Sequence, residues 1–127
     1  MLPKTFDFLL QSAKNGNFHL KRTIAIQREY ELHKQRNVNM HDYIMKTYLQ
    51  DQNYNLVLNR FPYDVEENIS HYVLWMKNGI FLDIDEYLKS RFFPKRFVFW
   101  TNPPELKSIP SIIHHHVFVE EYTISKL

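Results

Sequence analysis

Three consecutive histidines, His114, His115 and His116, stand in an apolar run near the end of the chain, and a fourth, His71, opens a second such run. Successive side chains of a strand point to opposite faces, so His114 and His116 share one face and His115 takes the other. Joined by His71 from a neighbouring strand, the two imidazoles suit two chemistries. As neutral ligands, His71, His114 and His116 form a candidate metal site for a divalent ion such as zinc, with a fourth position left for water. As acid and base they are candidate catalytic residues for phosphoester chemistry, one ring accepting a proton while another donates one. No carboxylate stands beside them in sequence to orient the rings, and the plain alternative for each is packing or hydrogen bonding in the core.

Five further residues are candidates for ligand binding: Arg60, Tyr63, Trp100, Asn102 and Lys107. Arg60-Phe61-Pro62-Tyr63-Asp64 reads as a turn whose bend Pro62 fixes. Placed beside the histidines, Arg60 or Lys107 would donate to an anion and Tyr63 would offer a hydroxyl. Asn102-Pro103-Pro104 presents a stiff backbone and an amide beside Trp100, a wall such as small-molecule pockets use, although prolines more often just end a strand. Trp75 shares strand parity with His71 and Val73, and Trp100 with Val98, so an aromatic face could stack a sugar or base ring; the plain alternative is core.

The elements that must position these residues are marked by caps and periods. Phe6, Leu9, Leu10 and Ala13 fall at helical spacing behind Thr5, and Asn15-Gly16 stops that helix. A second helix is expected from Leu20 to Asn37, with Lys21-Arg22 and His33-Lys34-Gln35-Arg36 as solvated faces. A third follows Asn39 through Met40, Ile44 and Tyr48 and ends near Gln50, and a fourth starts at Asp83 and ends before Pro94. Strand-like runs cover 71–76, 96–101 and 114–120, with a weaker one at Leu56-Val57-Leu58; Arg96 to Thr101, apolar on both faces, reads as a central strand, and Asn102 to Glu105 as the cap of a single helical turn. The fold expected is α+β over a single domain, 1–127, with N-terminal helices, about four in total, packed on a small, mainly antiparallel sheet of three to four strands. Strand order stays open, including a parallel pair across the fourth helix.

Composition narrows the function classes. A chain of 127 residues buries a core without staples, and ten Phe, eight Tyr and two Trp make large rings its main filling. The absence of cysteine removes disulfides and thiolate metal sites and fits a reducing compartment. A net charge of +2 with dispersed basic residues argues against nucleic-acid and membrane binding. The opening apolar run is short and interrupted by Asp7, so the expectation is a soluble cytoplasmic protein, with the nucleus also open to it.

Several runs resemble a family of unknown function that includes the fungal N-acetylglucosamine-induced proteins and members from large DNA viruses. They are Leu20-Lys21-Arg22-Thr23 with Tyr30 downstream, Arg60-Phe61-Pro62-Tyr63, His71-Tyr72-Val73-Leu74-Trp75, and Trp100-Thr101-Asn102-Pro103-Pro104-x-Leu106-x-Ser108-Ile109-Pro110 followed by His114-x-His116-Val117. The resemblance implies no reaction, because that name records an expression response. His-x-His-Val is also similar to histidine-triad nucleotide hydrolases, but their third alternating histidine is Phe118 here, which sets that reading aside. The expected function is a His/aromatic pocket that binds or hydrolyses a small phosphorylated or sugar-like ligand. The rival is a non-enzymatic interaction factor, viral in origin, that acts on a host protein.

Overall fold

The computed structural model describes residues 2–37, 39–103, 107, 109 and 111–124. Four helices form where side chains close their first turns. The hydroxyl of Thr5 accepts from the Phe8 amide at the start of α1 (Phe6–Asn15), and Gly16, at φ 69°, closes its end by donating its backbone N–H to Ser12 O. Asn39 caps α3 (Met40–Tyr48) and Asp83 caps α4 (Ile84–Phe92) in the same way.

The second helix begins later than its apolar period suggests. α2 spans Ile24–Arg36, with the Thr23 hydroxyl accepting from the Ile26 amide, so Leu20, Lys21 and Arg22 lie in irregular chain ahead of it. Leu20 and Ile24 stand four apart, but they do not share a helical face. Leu20 packs with Phe6 and Leu9, and Ile24 is exposed.

Strands β1 (Tyr54–Leu58), β2 (Ile69–Met76), β3 (Phe97–Trp100) and β4 (Ile113–Glu120) form one sheet in the order β1-β2-β4-β3, with every pairing antiparallel. β3 is therefore an edge strand and not a central one, and no parallel pair forms across α4. β4 separates β2 from β3, and both of its sides are taken. The apolar composition of β3 has another cause: helices cover both faces of the sheet, and an edge strand beneath two layers is as apolar as a central one. On one face Leu74, Met76, Val117 and Val119 pack against Leu88 and Phe92 of α4. On the other, Val73 and Trp75 meet Ile44, while Trp100 and Phe118 meet Phe6 and Leu9. The helical turn expected behind Asn102 falls on Pro104, Glu105 and Leu106, outside the described residues. Among the described residues no helix is long and apolar enough to cross a membrane.

The late start of α2 is testable. Thr23→Ala removes its cap and is expected to lower the unfolding free energy by about 1 kcal/mol in urea denaturation, with Thr23→Asp close to wild type. A helix beginning at Leu20 would instead gain stability from Thr23→Ala, because alanine is the better interior residue.

Candidate functional site

Antiparallel register brings the singled-out residues together. β2 and β4 pair His71 with Phe118, Val73 with His116 and Trp75 with His114, and β3 sets Trp100 opposite His116. Side chains of one parity therefore form a single face holding His71, His114, His116, Trp75 and Trp100. His115 points the other way, where its Nδ1 lies 2.8 Å from the Thr101 hydroxyl. His71 and His116 are directly bonded, Nε2 to Nδ1, at 2.9 Å.

Around that bond runs a continuous polar chain between the two apolar clusters of this face. The Tyr63 amide donates to His71 Nδ1 at 3.1 Å. Asn102 Nδ2 lies 3.1 Å from His116 Nε2 and donates to the Tyr63 hydroxyl at 3.0 Å, and Trp100 Nε1 donates to Asn102 Oδ1 at 3.2 Å. The Tyr63 ring stacks near both imidazoles, and Phe118 lies beneath His71 with ring centres 4.3 Å apart. His71, His116 and Asn102 are each 3–5% exposed, so every unmade hydrogen bond among them would cost about 1–3 kcal/mol. Such a chain holds each ring in one orientation.

His114 is the freer imidazole. Its Nδ1–H donates to Ile112 O at 2.8 Å, which leaves Nε2 with the lone pair, and its ring borders Trp75 and His116. A cavity of about 70 Å³ lies between this face and helices α2 and α3. Arg60, Tyr63, Asn102, His114 and His116 line it, as do Arg22 and His33, while Trp100 stands behind Asn102. Lys107 is not among the lining residues; its positive charge is felt by His114 and His115. Among the described residues no aspartate or glutamate lines the cavity.

Arg22 was not visible in the sequence as a site residue. Its guanidinium lies 4.1 Å from the Tyr30 ring and 5.2 Å from that of Tyr63, and its Nε donates to Phe61 O at 2.7 Å. It reaches the cavity because it precedes the Thr23 cap. The one signal for this was the Thr23 cap itself, which removes Arg22 from any helical face. Asn59 was missed as well: its Oδ1 accepts from the Phe61 amide at 2.8 Å, and its Nδ2 lies 3.4 Å from His71 Nε2.

Burial governs the charge states. It holds His71 well below its ordinary pKa, reinforced by His116 and Arg22, and lowers His116 to about 3, reinforced by His114, Arg22 and His115. Burial also lowers His114 and His33, and it raises the Tyr63 hydroxyl. The imidazoles are thus neutral at pH 7, as metal ligands and general bases must be. For a metal the difficulty is geometric. The facing nitrogens of His71 and His116 are bonded to each other, and among the described residues no three His, Asp or Glu side chains are placed to hold an ion.

Depressed histidine pKa values make stability depend on pH. Below about 6.5 the unfolded chain takes up protons that buried His71 and His116 refuse, so stability is lost as pH falls from there toward about 3. Each such histidine contributes a slope of about 1.4 kcal/mol per pH unit. His116→Asn is expected to reduce the slope of unfolding free energy between about pH 6 and 4.5 by that amount, and an unchanged slope would show that His116 is not held neutral.

Comparison with known proteins places the fold without naming a reaction. No curated protein matches the chain significantly. The structure is similar to the crystal structure of HTC1, with a TM-score of 0.70 at 22% identity, covering 92% of this chain and 85% of that one. At that identity the likeness is one of fold. Residues 12–120, from within α1 to the end of β4, match the family described as "Protein of unknown function (DUF3605)", and the chain belongs to that family.

Proposed function

We propose that this protein binds a small phosphorylated or sugar-like molecule in the cavity between the sheet and helices α2 and α3. The observation that supports it is the chemistry of the lining: among the described residues, two guanidiniums, three imidazoles and two amides, with no carboxylate. Among the described residues neither Arg22 nor Arg60 is in an ion pair, so an anion would not have to displace a carboxylate. About 70 Å³ suits one compact group such as a phosphoryl. A recess of about 320 Å³ shares Arg22, Tyr63 and Asn102 with the cavity and adds Lys21 and Gln27; it is where a sugar ring would lie. Hydrolysis is the further form of this reading. His114 Nε2 would serve as general base, with His116 beside it facing the ligand and His71 as the residue that positions His116. In this reading the protein works in the cytoplasm or nucleus, and its kinship includes the fungal N-acetylglucosamine-induced proteins and their large-DNA-virus relatives.

A different observation favours the rival. Phe81 and Phe93, on the two flanks of α4, are 93% and 83% exposed, two aromatic side chains of the kind a viral factor could present to a host protein.

Thermal denaturation with inorganic phosphate, sugar phosphates, nucleotides and divalent ions separates the two. At a hundredfold excess over Kd, a bound sugar phosphate is expected to add about 2.7 kcal/mol, a rise of several degrees in Tm, and Arg60→Ala should diminish it. No response to any compound, or an undiminished one in folded His114→Ala/His116→Ala, would overturn the pocket reading. A stoichiometric partner lost on Phe81→Ser/Phe93→Ser would then establish the rival.

A further inference from the structure

The buried chain around His71 and His116 ends at both sides on groups that can only donate. One is the backbone N–H of Tyr63, and the other is the indole N–H of Trp100. Four contacts join them: Tyr63 to His71, His71 to His116, His116 to Asn102, and Asn102 to Trp100. A neutral imidazole brings one hydrogen and one lone pair, and the Asn102 amide turns an oxygen to one neighbour and an N–H to the other. Tyr63, His71, His116, Asn102 and Trp100 thus bring five hydrogens to four contacts.

No internal rearrangement removes the surplus. Turning Asn102 over moves it to the Trp100 contact, and exchanging the histidine tautomers moves it toward Tyr63. Asn59 deepens it. Its oxygen is held by the Phe61 amide, so its Nδ2 is a second donor aimed at His71 Nε2. Protonating either ring would add a hydrogen. Among the described residues the chain lacks one acceptor.

The fixed ends locate the place. The Tyr63 amide makes His71 Nδ1 an acceptor, so His71 Nε2–H donates to His116 Nδ1 and His116 carries its own hydrogen on Nε2. The Trp100 N–H takes Asn102 Oδ1, which turns Nδ2 toward His116 and Tyr63. Two N–H groups then face one another with their nitrogens 3.1 Å apart, on residues that both line the cavity.

We infer that the missing acceptor is an oxyanion of the ligand, a phosphate or carboxylate oxygen, received jointly by His116 Nε2–H and Asn102 Nδ2–H. This rests on the binding function proposed above and adds the recognising atoms. A forked pair of N–H donors out of water, with Arg22 nearby, is the arrangement that favours an oxyanion over a neutral hydroxyl. Asn102 is then a ligand-contacting residue, and Trp100 and Tyr63 are positioning residues that set its amide and the tautomers of both rings.

The test titrates inorganic phosphate, and separately acetate, into the wild-type protein while following the Asn102 side-chain amide and the Trp100 indole N–H by NMR. A saturable shift of both signals is expected with at least one anion, and the stronger binder identifies the source. Asn102→Asp should fold with a Tm at least that of wild type and lose the anion response, because its carboxylate supplies the acceptor within the chain. Asn102→Ala should have a lower Tm. The inference is overturned if neither anion shifts the signals saturably, as when water alone fills the place, or if Asn102→Asp is as destabilised as Asn102→Ala. The two readings fail separately: sugar phosphates that bind without moving Asn102 and Trp100 would sink this inference alone, whereas saturable phosphate binding with no response to sugar phosphates would sink the sugar reading alone.

Discussion

The hydrogen bond between His71 and His116 is the constraint on which the rest of this face depends. It joins two strands across the middle of the sheet and lies between an apolar cluster around Trp75 and another around Trp100. A polar strip in that position is tolerated only if its groups are partnered, so the turn carrying Tyr63 is tied to it through the Tyr63 amide, and the loop that brings Asn102 is tied to the Tyr63 hydroxyl and the Trp100 indole. Packing alone would leave the rings free to turn over. The chain holds them, and in doing so gives the cavity a wall of N–H donors.

The same burial that makes the strip stable keeps it neutral. Imidazolium is disfavoured by desolvation and by the guanidinium of Arg22, while among the described residues no carboxylate lines the cavity to draw charge the other way. The positive potential of the cavity therefore comes from Arg22 and Arg60, and its directional donors come from neutral side chains. Charge and hydrogen-bond geometry are supplied by different residues. That division suits an oxyanion, which wants both.

Much of this was legible in the sequence where the signal was local. Thr5, Asn39 and Asp83 are caps whose side chains reach three residues on, and Gly16 is a stop that needs no tertiary partner. Alternation along β4 was enough to separate His114 and His116 from His115. What failed depended on distant neighbours. The apolar period from Leu20 through Ile24 was mistaken for a helical face, because Leu20 lies ahead of α2 and packs against the cluster around Phe6, Leu9 and Trp100. Strand β3 was read as central because apolarity on both faces reports covering layers and says nothing about pairing. Arg22 and Asn59 act through Phe61 and His71, contacts set by where the chain folds back. The metal reading of His71, His114 and His116 turned on a distance between rings that no spacing encodes.

The most direct measurement is the nitrogen-15 shift of both rings of the His71–His116 pair, followed from about pH 8 to pH 5 in the folded protein. Neutral rings, each carrying its hydrogen on Nε2 and unchanged over that range, are the result expected from the buried bond and its donor-only ends. Titration of either ring near its ordinary value of 6.5, or a hydrogen on His71 Nδ1, would contradict it.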